Sequence, residues 1–309
     1  MTRPARHLAL VGPTASGKSA VALEVARQLD DVELVSVDSM QVYRRMDIGT
    51  AKPTPAEQAE VPHHLLDLVE PWEGFSVARF QAAARDTIAG IERRGHRALL
   101  VGGTGLYLQA VVDGLAVPGE WPAVRAELEA AATTSAGAAG LHRRLAELDP
   151  AAAARMEPTN HRRIVRALEV TLGSGRPFSS YGPGLDAYPP TSFRLAGLSS
   201  SRETLDGRIA RRLDSQLAAG FLDEVRALVS ADEPLSRTAR EALGYRELLA
   251  HIGGRCTLEE AIAETARRTR AFARRQRAWF RRDPRITWFD AEANPFAVLP
   301  ELLGNWTDR

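Results

Sequence analysis

Residues 7–19, HLALVGPTASGKS, decide the fold of this chain. HLALV reads as a short buried strand, and KSAVALEVARQL, starting at Lys18, carries the apolar spacing of a helix. Between them Gly12–Ser19 fits G-x-x-x-x-G-K-[ST] in the strand-to-helix setting that the motif requires. Backbone amides of such a loop and of the helix N-terminus converge on a di- or triphosphate. Gly12, Pro13, Thr14, Ala15, Ser16 and Gly17 therefore form the candidate diphosphate cradle, with Lys18 reaching the outer oxygens and the Ser19 hydroxyl available to a Mg²⁺. Lys18 and Lys52 are the only lysines in a chain that otherwise writes its positive charge as arginine.

Outward from this stretch, apolar runs bounded by turn residues recur at 33–37, 97–101, 194–198 and 286–289, with helical patterns between several of them. The alternation predicts an α/β fold: a P-loop NTPase-like parallel sheet covered by helices. From Pro118 to Pro190 the strand signal disappears and Ala-rich, Arg-bearing helical text takes over. This segment is expected to be a helical insertion domain, 118–190, between two parts of a catalytic core, 1–117 and 191–309. The stretch GRPFSSYGPGLDAYPP, 175–190, reads as a loop from its Pro, Gly and Ser content.

Composition narrows the function classes. A formal net charge of +1 excludes a chain coated in positive charge, so any anion-binding surface must come from local arrangement. A single cysteine, Cys256, rules out an internal disulfide or a Cys-based zinc site. The apolar run HLALV is too short for a membrane span, so the chain is expected in the cytoplasm without a membrane role, and it is expected to be a monomer because no exposed heptad or edge suggests otherwise. His63 and His64 are adjacent, and neighbours on a strand point to opposite faces, so they are expected to be structural rather than a metal pair.

The second strand, VELVSV, ends in Asp38, and the carboxyl ends of neighbouring strands in such sheets open on one crevice. A carboxylate there can serve as a metal's outer partner, as a general base, or as a cap of the following segment. Thr104, after the strand 98–101 and two glycines, is placed to cap the helix LYLQAVVDGL or to touch a substrate. In the helical segment 257–282, Leu258, Ile262, Thr265, Phe272, Gln276 and Trp279 mark a packed face. Arg267, Arg270, Arg274, Arg277 and Arg281 stand opposite, flanked by Arg268, Arg275 and Arg282, with no acid in between. Like charges at these spacings repel, so an anion such as an RNA backbone is expected along the stripe.

GPTASGKS, VSVDSMQVYRRMDIGTAKP, PHHLLDLV, LLVGGTGLYLQAVVDGL, RALEV, ALGYREL and TRAFARRQRAWFRR occur in the order and spacing of bacterial tRNA dimethylallyltransferases, the IPP transferase family, which the chain resembles over nearly its whole length. The resemblance implies that the loop binds the diphosphate of dimethylallyl diphosphate rather than ATP. It implies transfer of the five-carbon group to the exocyclic amine of the adenosine 3′ of the anticodon, in tRNAs reading U-starting codons. Asp38 then looks like the base, acting with Lys18, Ser19 and Mg²⁺. Asp38, Ser39, Met40, Gln41 and Thr104 would meet the tRNA anticodon stem-loop, as would Arg270, Arg277 and the insertion's Arg125, Arg162, Arg163 and Arg166. Arg246 and Arg274 are the candidates to close on the departing diphosphate, although Glu241 stands close to the Gly-Tyr core preceding Arg246. Three other readings stay open: a P-loop kinase of a nucleoside or small metabolite, an isopentenyltransferase acting on free adenine nucleotide, and a non-catalytic nucleotide-gated RNA-binding protein.

Overall fold

The computed structural model describes residues 7–132, 135–182 and 184–307. Six strands, β1 (His7–Val11), β2 (Val32–Val37), β3 (His63–His64), β4 (Arg97–Gly102), β5 (Phe193–Ser199) and β6 (Ile286–Asp290), form one sheet in the order β3-β2-β4-β1-β5-β6. Every pairing is parallel. All five apolar runs of the sequence are strands, and the sheet is covered on both faces, which is why β1 is buried at all five positions. The sixth strand, β3, is two residues long and leaves no run to read. It holds His63 and His64 at the sheet edge, where His64 Nε2 lies 2.6 Å from Glu33 Oε2 and His63 Nδ1 lies 2.7 Å from the Val61 carbonyl. Both histidines are structural, as expected.

Alternation along each strand divides the core in two. Leu8 and Leu10 of β1, Leu34 of β2 and Leu99 of β4 pack with Val21, Leu23 and Val25 of α1 (Lys18–Gln28). Ala9, Val11, Val35, Val37 and Leu100 face the opposite layer. The chain continues through α2 (Pro55–Glu60), α3 (Val77–Arg93) and α4 (Gly105–Val112). Phe80 and Ile91 of α3 and Tyr107 and Leu108 of α4 pack in that second layer.

Two compact units emerge: one ends at Asp113 and resumes at Tyr188, and the other is Gly114–Ala187. The second unit is helical: α5 (Pro122–Ala131), α6 (Ser135–Leu148), α7 (Pro150–Ala153) and α8 (His161–Ser174), followed by a 3₁₀ turn at Phe178–Tyr181. It has its own core of Leu128, Leu141, Leu145, Met156, Ile164 and Leu168. Back in the first unit follow α9 (Arg202–Ala218), α10 (Phe221–Val229), α11 (Arg237–Arg240), α12 (Tyr245–Ile252), α13 (Leu258–Phe280) and α14 (Leu299–Thr307). Among the described residues no helix is long and apolar enough to cross a membrane.

One expectation about the crevice needs correction. β2 is not the neighbour of β1, because β4 lies between them. Asp38 therefore faces the loop across the carboxyl end of β4, and the residues there must leave room. They do: a Cβ on Gly102 would run into the backbone of Val37, and a Cβ on Gly103 into the side chain of Gln276.

Candidate diphosphate and acceptor site

The loop between β1 and α1 is shaped by close approach. A Cβ on Gly12 would lie 2.8 Å from Ser16 Oγ and 3.1 Å from the Leu198 carbonyl oxygen. Ala15 takes a left-handed φ of 64°, and Gly17, the residue before α1, has φ 90° with Pro295 packed against it. No side chain caps α1. The first amides of this helix are thus left for an anion, the arrangement that favours phosphate. Ser16 Oγ is buried without a partner in the same loop. Thr14 departs from the expected pattern, because its amide donates to Gln276 Oε1 at 2.8 Å.

Lys18 Nζ donates to the Pro13 carbonyl at 3.2 Å. Burial, reinforced by the nearby Arg212 and opposed by Asp38, lowers its pKa to about 8. Arg212 on α9 places Nη1 3.4 Å from Thr14 Oγ1, and it too is pulled down by burial and supported by Asp38. Lys18, Arg212 and Asp38 therefore share one field: two cations at the loop and one carboxylate facing them. Of the two arginines the sequence offers to close on the diphosphate, Arg246 lies on the exposed side of α12, paired with Glu241 at 2.8 Å, and Arg274 is exposed on α13. Arg212 carries no motif signal, since only the fold of α9 brings it to Thr14.

At the acceptor side Asp38 Oδ1 accepts from the Met40 amide at 2.8 Å. Thr104 does not cap α4 with its side chain. Its hydroxyl accepts from the Ser39 amide at 3.1 Å, and its own amide donates to the Val37 carbonyl at 3.3 Å, so it joins β4 to the segment starting at Asp38. Met40 packs against the core. Gln41 is 9% exposed and committed at both ends, accepting from Ser36 Oγ and donating to the Thr50 and Ala51 carbonyls. Gln276, expected only as a packing residue, donates to the Gly103 carbonyl at 3.0 Å while accepting from Thr14, and so pins loop, β4 turn and α13 together.

The arginine face of α13 is less bare than its sequence suggests. Acids reach it from its own preceding turn and from other helices: Glu264 pairs with Arg267 at 2.6 Å, Glu247 of α12 with Arg268, and Asp206 of α9 approaches Arg270 at 3.9 Å. Arg275 and Arg282 lie over the rings of Phe272 and Trp279. Among the described residues no carboxylate pairs with Arg274, Arg277 or Arg281. The expected anion-seeking stripe thus contracts to the C-terminal half of the helix. On the packed face Thr265 and Gln276 are buried and Leu258 and Trp279 pack half-buried against the core, as expected, while Ala261, Ala273 and Phe280 are its further buried positions.

In the insertion, Arg125 and Arg166 converge on the fully buried Glu169 at 2.8 and 3.0 Å. Burial opposes ionisation of Glu169, but the Trp121 amide and these guanidiniums outweigh it and hold its pKa below the ordinary value. Arg166 also donates to the carbonyls of Pro118 and Gly119. Arg162 and Arg163 are exposed. Cys256 packs half-buried against the core.

Mg²⁺ fits the donor set: the Ser19 hydroxyl is exposed at the start of α1 and hard oxygen ligands would be completed by the diphosphate itself and water. No cluster of three His, Cys, Asp or Glu side chains among the described residues offers a competing cage.

A strand, a Gly-bounded loop, two cations and a facing carboxylate define a P-loop α/β protein with a candidate diphosphate cradle opposite a carboxylate. The chain belongs to the IPP transferase family, whose model matches residues 41–283, and the isopentenyl transferase model matches residues 6–74. It is 48% identical to the tRNA dimethylallyltransferase of Streptomyces avermitilis over 96% of this chain and 94% of that one. The solved tRNA isopentenylpyrophosphate transferase of Bacillus halodurans is 39% identical, with a TM-score of 0.70 over 98% of this chain and 95% of that one. A eukaryotic dimethylallyltransferase captured acting on tRNA is 25% identical, with a TM-score of 0.78 over 97% of this chain and 79% of that one.

Proposed function

We propose that this protein transfers the dimethylallyl group of dimethylallyl diphosphate to the exocyclic amine of the adenosine 3′-adjacent to the anticodon, in tRNAs reading U-starting codons. The amine nitrogen bonds to C1 of the allyl group as the C1–O bond breaks, and the diphosphate leaves with that electron pair. Asp38 takes the proton released by the nitrogen. Amides of the loop, Lys18 and Arg212 hold the charge that develops on the leaving oxygens. Ser19 would hold a Mg²⁺, which would further neutralise the diphosphate.

The observation that carries this reading is the shared field of Lys18, Arg212 and Asp38 at the diphosphate loop of an IPP transferase chain. Arg274 and Arg277, together with Arg162 and Arg163 of the insertion, supply the RNA-facing charge; the enzyme works as a cytoplasmic monomer. The test is incubation with Mg²⁺, dimethylallyl diphosphate and unmodified tRNA, followed by nucleoside mass spectrometry. AMP as acceptor and ATP as donor run in parallel. A prenyl mass on tRNA adenosine is the expected result. Prenylated AMP alone would move the acceptor to a free nucleotide, and phosphate transfer from ATP without prenylation would overturn the reading.

A further inference from the structure

The chain that leaves Asp38 runs to Lys52 without a helix or strand, and two of its non-glycine residues, Arg45 and Ala51, sit at left-handed φ values of 62° and 48°. Such conformations persist where the surroundings over-determine them. At the turn between them, residues 47–49, the surroundings are α9, α10 and α12. The Glu224 carboxylate on α10 accepts from three successive amides, Asp47 at 2.8 Å, Ile48 at 2.7 Å and Gly49 at 3.2 Å, and from the Tyr245 hydroxyl at 2.6 Å. Gln216 on α9 donates to the next acceptors along, the Ile48 and Gly49 carbonyls, at 2.6 and 3.0 Å. Gly49 is pressed so close that a Cβ would lie 2.5 Å from the Tyr245 ring. Donors and acceptors of the 47–49 turn are thus both taken by side chains distant in sequence.

The clamp is tied to both halves of the site. Gln216 is one turn beyond Arg212, so a single face of α9 reaches Thr14 in the diphosphate loop and the 47–49 turn. On the other side Gln41 bonds the Thr50 and Ala51 carbonyls and Ser36, two residues before Asp38. Lys52 holds the Tyr43 carbonyl and Asp67 at 2.9 and 2.6 Å and pairs with Asp47. A displacement of the turn therefore propagates to the chain around Asp38, while the amides at the start of α1 stay where β1 and α1 put them.

Building on the transferase reading, we infer that Glu224 is a positioning residue: with Gln216 it keeps the segment 38–52, and with it the proton acceptor, in register with the diphosphate loop. The geometry demands two accepting oxygens, because four donors converge on this side chain. A glutamine has one accepting oxygen and would turn its own N–H groups toward amides.

The test compares Glu224→Gln, Glu224→Asp and Gln216→Ala with the wild type. For Glu224→Gln, kcat for transfer to tRNA falls about 10- to 100-fold and KM for tRNA rises, as expected for a misplaced reacting group. The Kd for dimethylallyl diphosphate stays within about twofold, as it reports the loop alone. Glu224→Asp recovers part of kcat, and Gln216→Ala shows the same pattern more mildly. Hydrogen exchange supplies a readout independent of activity: amides 47–49 lose protection in Glu224→Gln, and those of 39–41 follow. Wild-type kinetics in a folded Glu224→Gln, equal losses for both substrates, or unchanged protection at 39–49 would overturn the clamp. A wild-type protein that prenylates no tRNA overturns the transferase reading instead, and the exchange data still decide the clamp.

Discussion

Replacing Gly102 by alanine tests whether the site depends on β2 and β4 closing to contact at their carboxyl ends. A Cβ on Gly102 would lie 2.5 Å from the carbonyl carbon of Val37 and 2.8 Å from its Cβ, and nearer still to its carbonyl oxygen. Non-bonded carbons rest about 3.5–4.0 Å apart, so the end of β2 must withdraw by about 1 Å. Val37 directly precedes Asp38 and also accepts the Thr104 amide, so the withdrawal falls on the proton acceptor and on the bond that orders Ser39. A misplacement of about 1 Å costs on the order of 100-fold in rate, and overpacking of this kind costs about 1–3 kcal/mol in stability. The assay is kcat for tRNA prenylation with both substrates saturating, alongside thermal unfolding and direct titration of dimethylallyl diphosphate. The expected outcome is a kcat lower by about two orders of magnitude, a melting temperature lower by several degrees, and diphosphate affinity little changed. Wild-type kcat and melting temperature in Gly102→Ala would refute the argument that this contact sets the crevice.

Arg212→Ala should weaken dimethylallyl diphosphate binding by about 10- to 100-fold, the worth of a hydrogen bond to a charged group, whereas Arg246→Ala should leave it unchanged; calorimetric titration that ranks them the other way restores Arg246. The double variant Arg274→Ala/Arg277→Ala should weaken tRNA binding and reduce the slope of log K against log salt by about 1.4–1.8, and an identical slope would assign both to a merely solvated face. Glu33 is held at a pKa of about 2, chiefly by Arg94, with burial opposing and His64 assisting. Its stabilisation is therefore full above the ordinary carboxylate value near 4.5 and is lost as pH falls toward 2. Urea unfolding between pH 5.5 and 2.5 should show Glu33→Gln, less stable at pH 5.5, converging on the wild type by about 2 kcal/mol; parallel curves would contradict this account.

The sheet was legible because each of the five longer strands carries an apolar run, and the P-loop because its motif constrains consecutive residues. What the sequence hides is whatever depends on elements meeting across the fold. The position of β4 between β1 and β2 leaves only the pair Gly102–Gly103 as a trace. Arg212 lies in a helix whose local pattern gives no reason to prefer it over its neighbours, and Gln276 reads only as part of a packed face, yet they are the side chains that reach Thr14. The arginine face of α13 misleads for the same reason: Glu247 and Asp206, which quiet part of it, are carried by α12 and α9. In the insertion, Arg125 and Arg166 resemble a nucleic-acid surface in sequence, while the buried Glu169 claims both.

The near-absence of lysine has a chemical consequence. Of the two lysine side chains, Lys52 is 3% exposed and locked between Asp47 and Asp67, whereas Lys18, half-buried and with its pKa lowered to about 8, is the more nucleophilic amine toward an acylating reagent. The protein thus carries a distinctive amine in its P-loop, and on the proposed function a bound diphosphate would shield it from acylation.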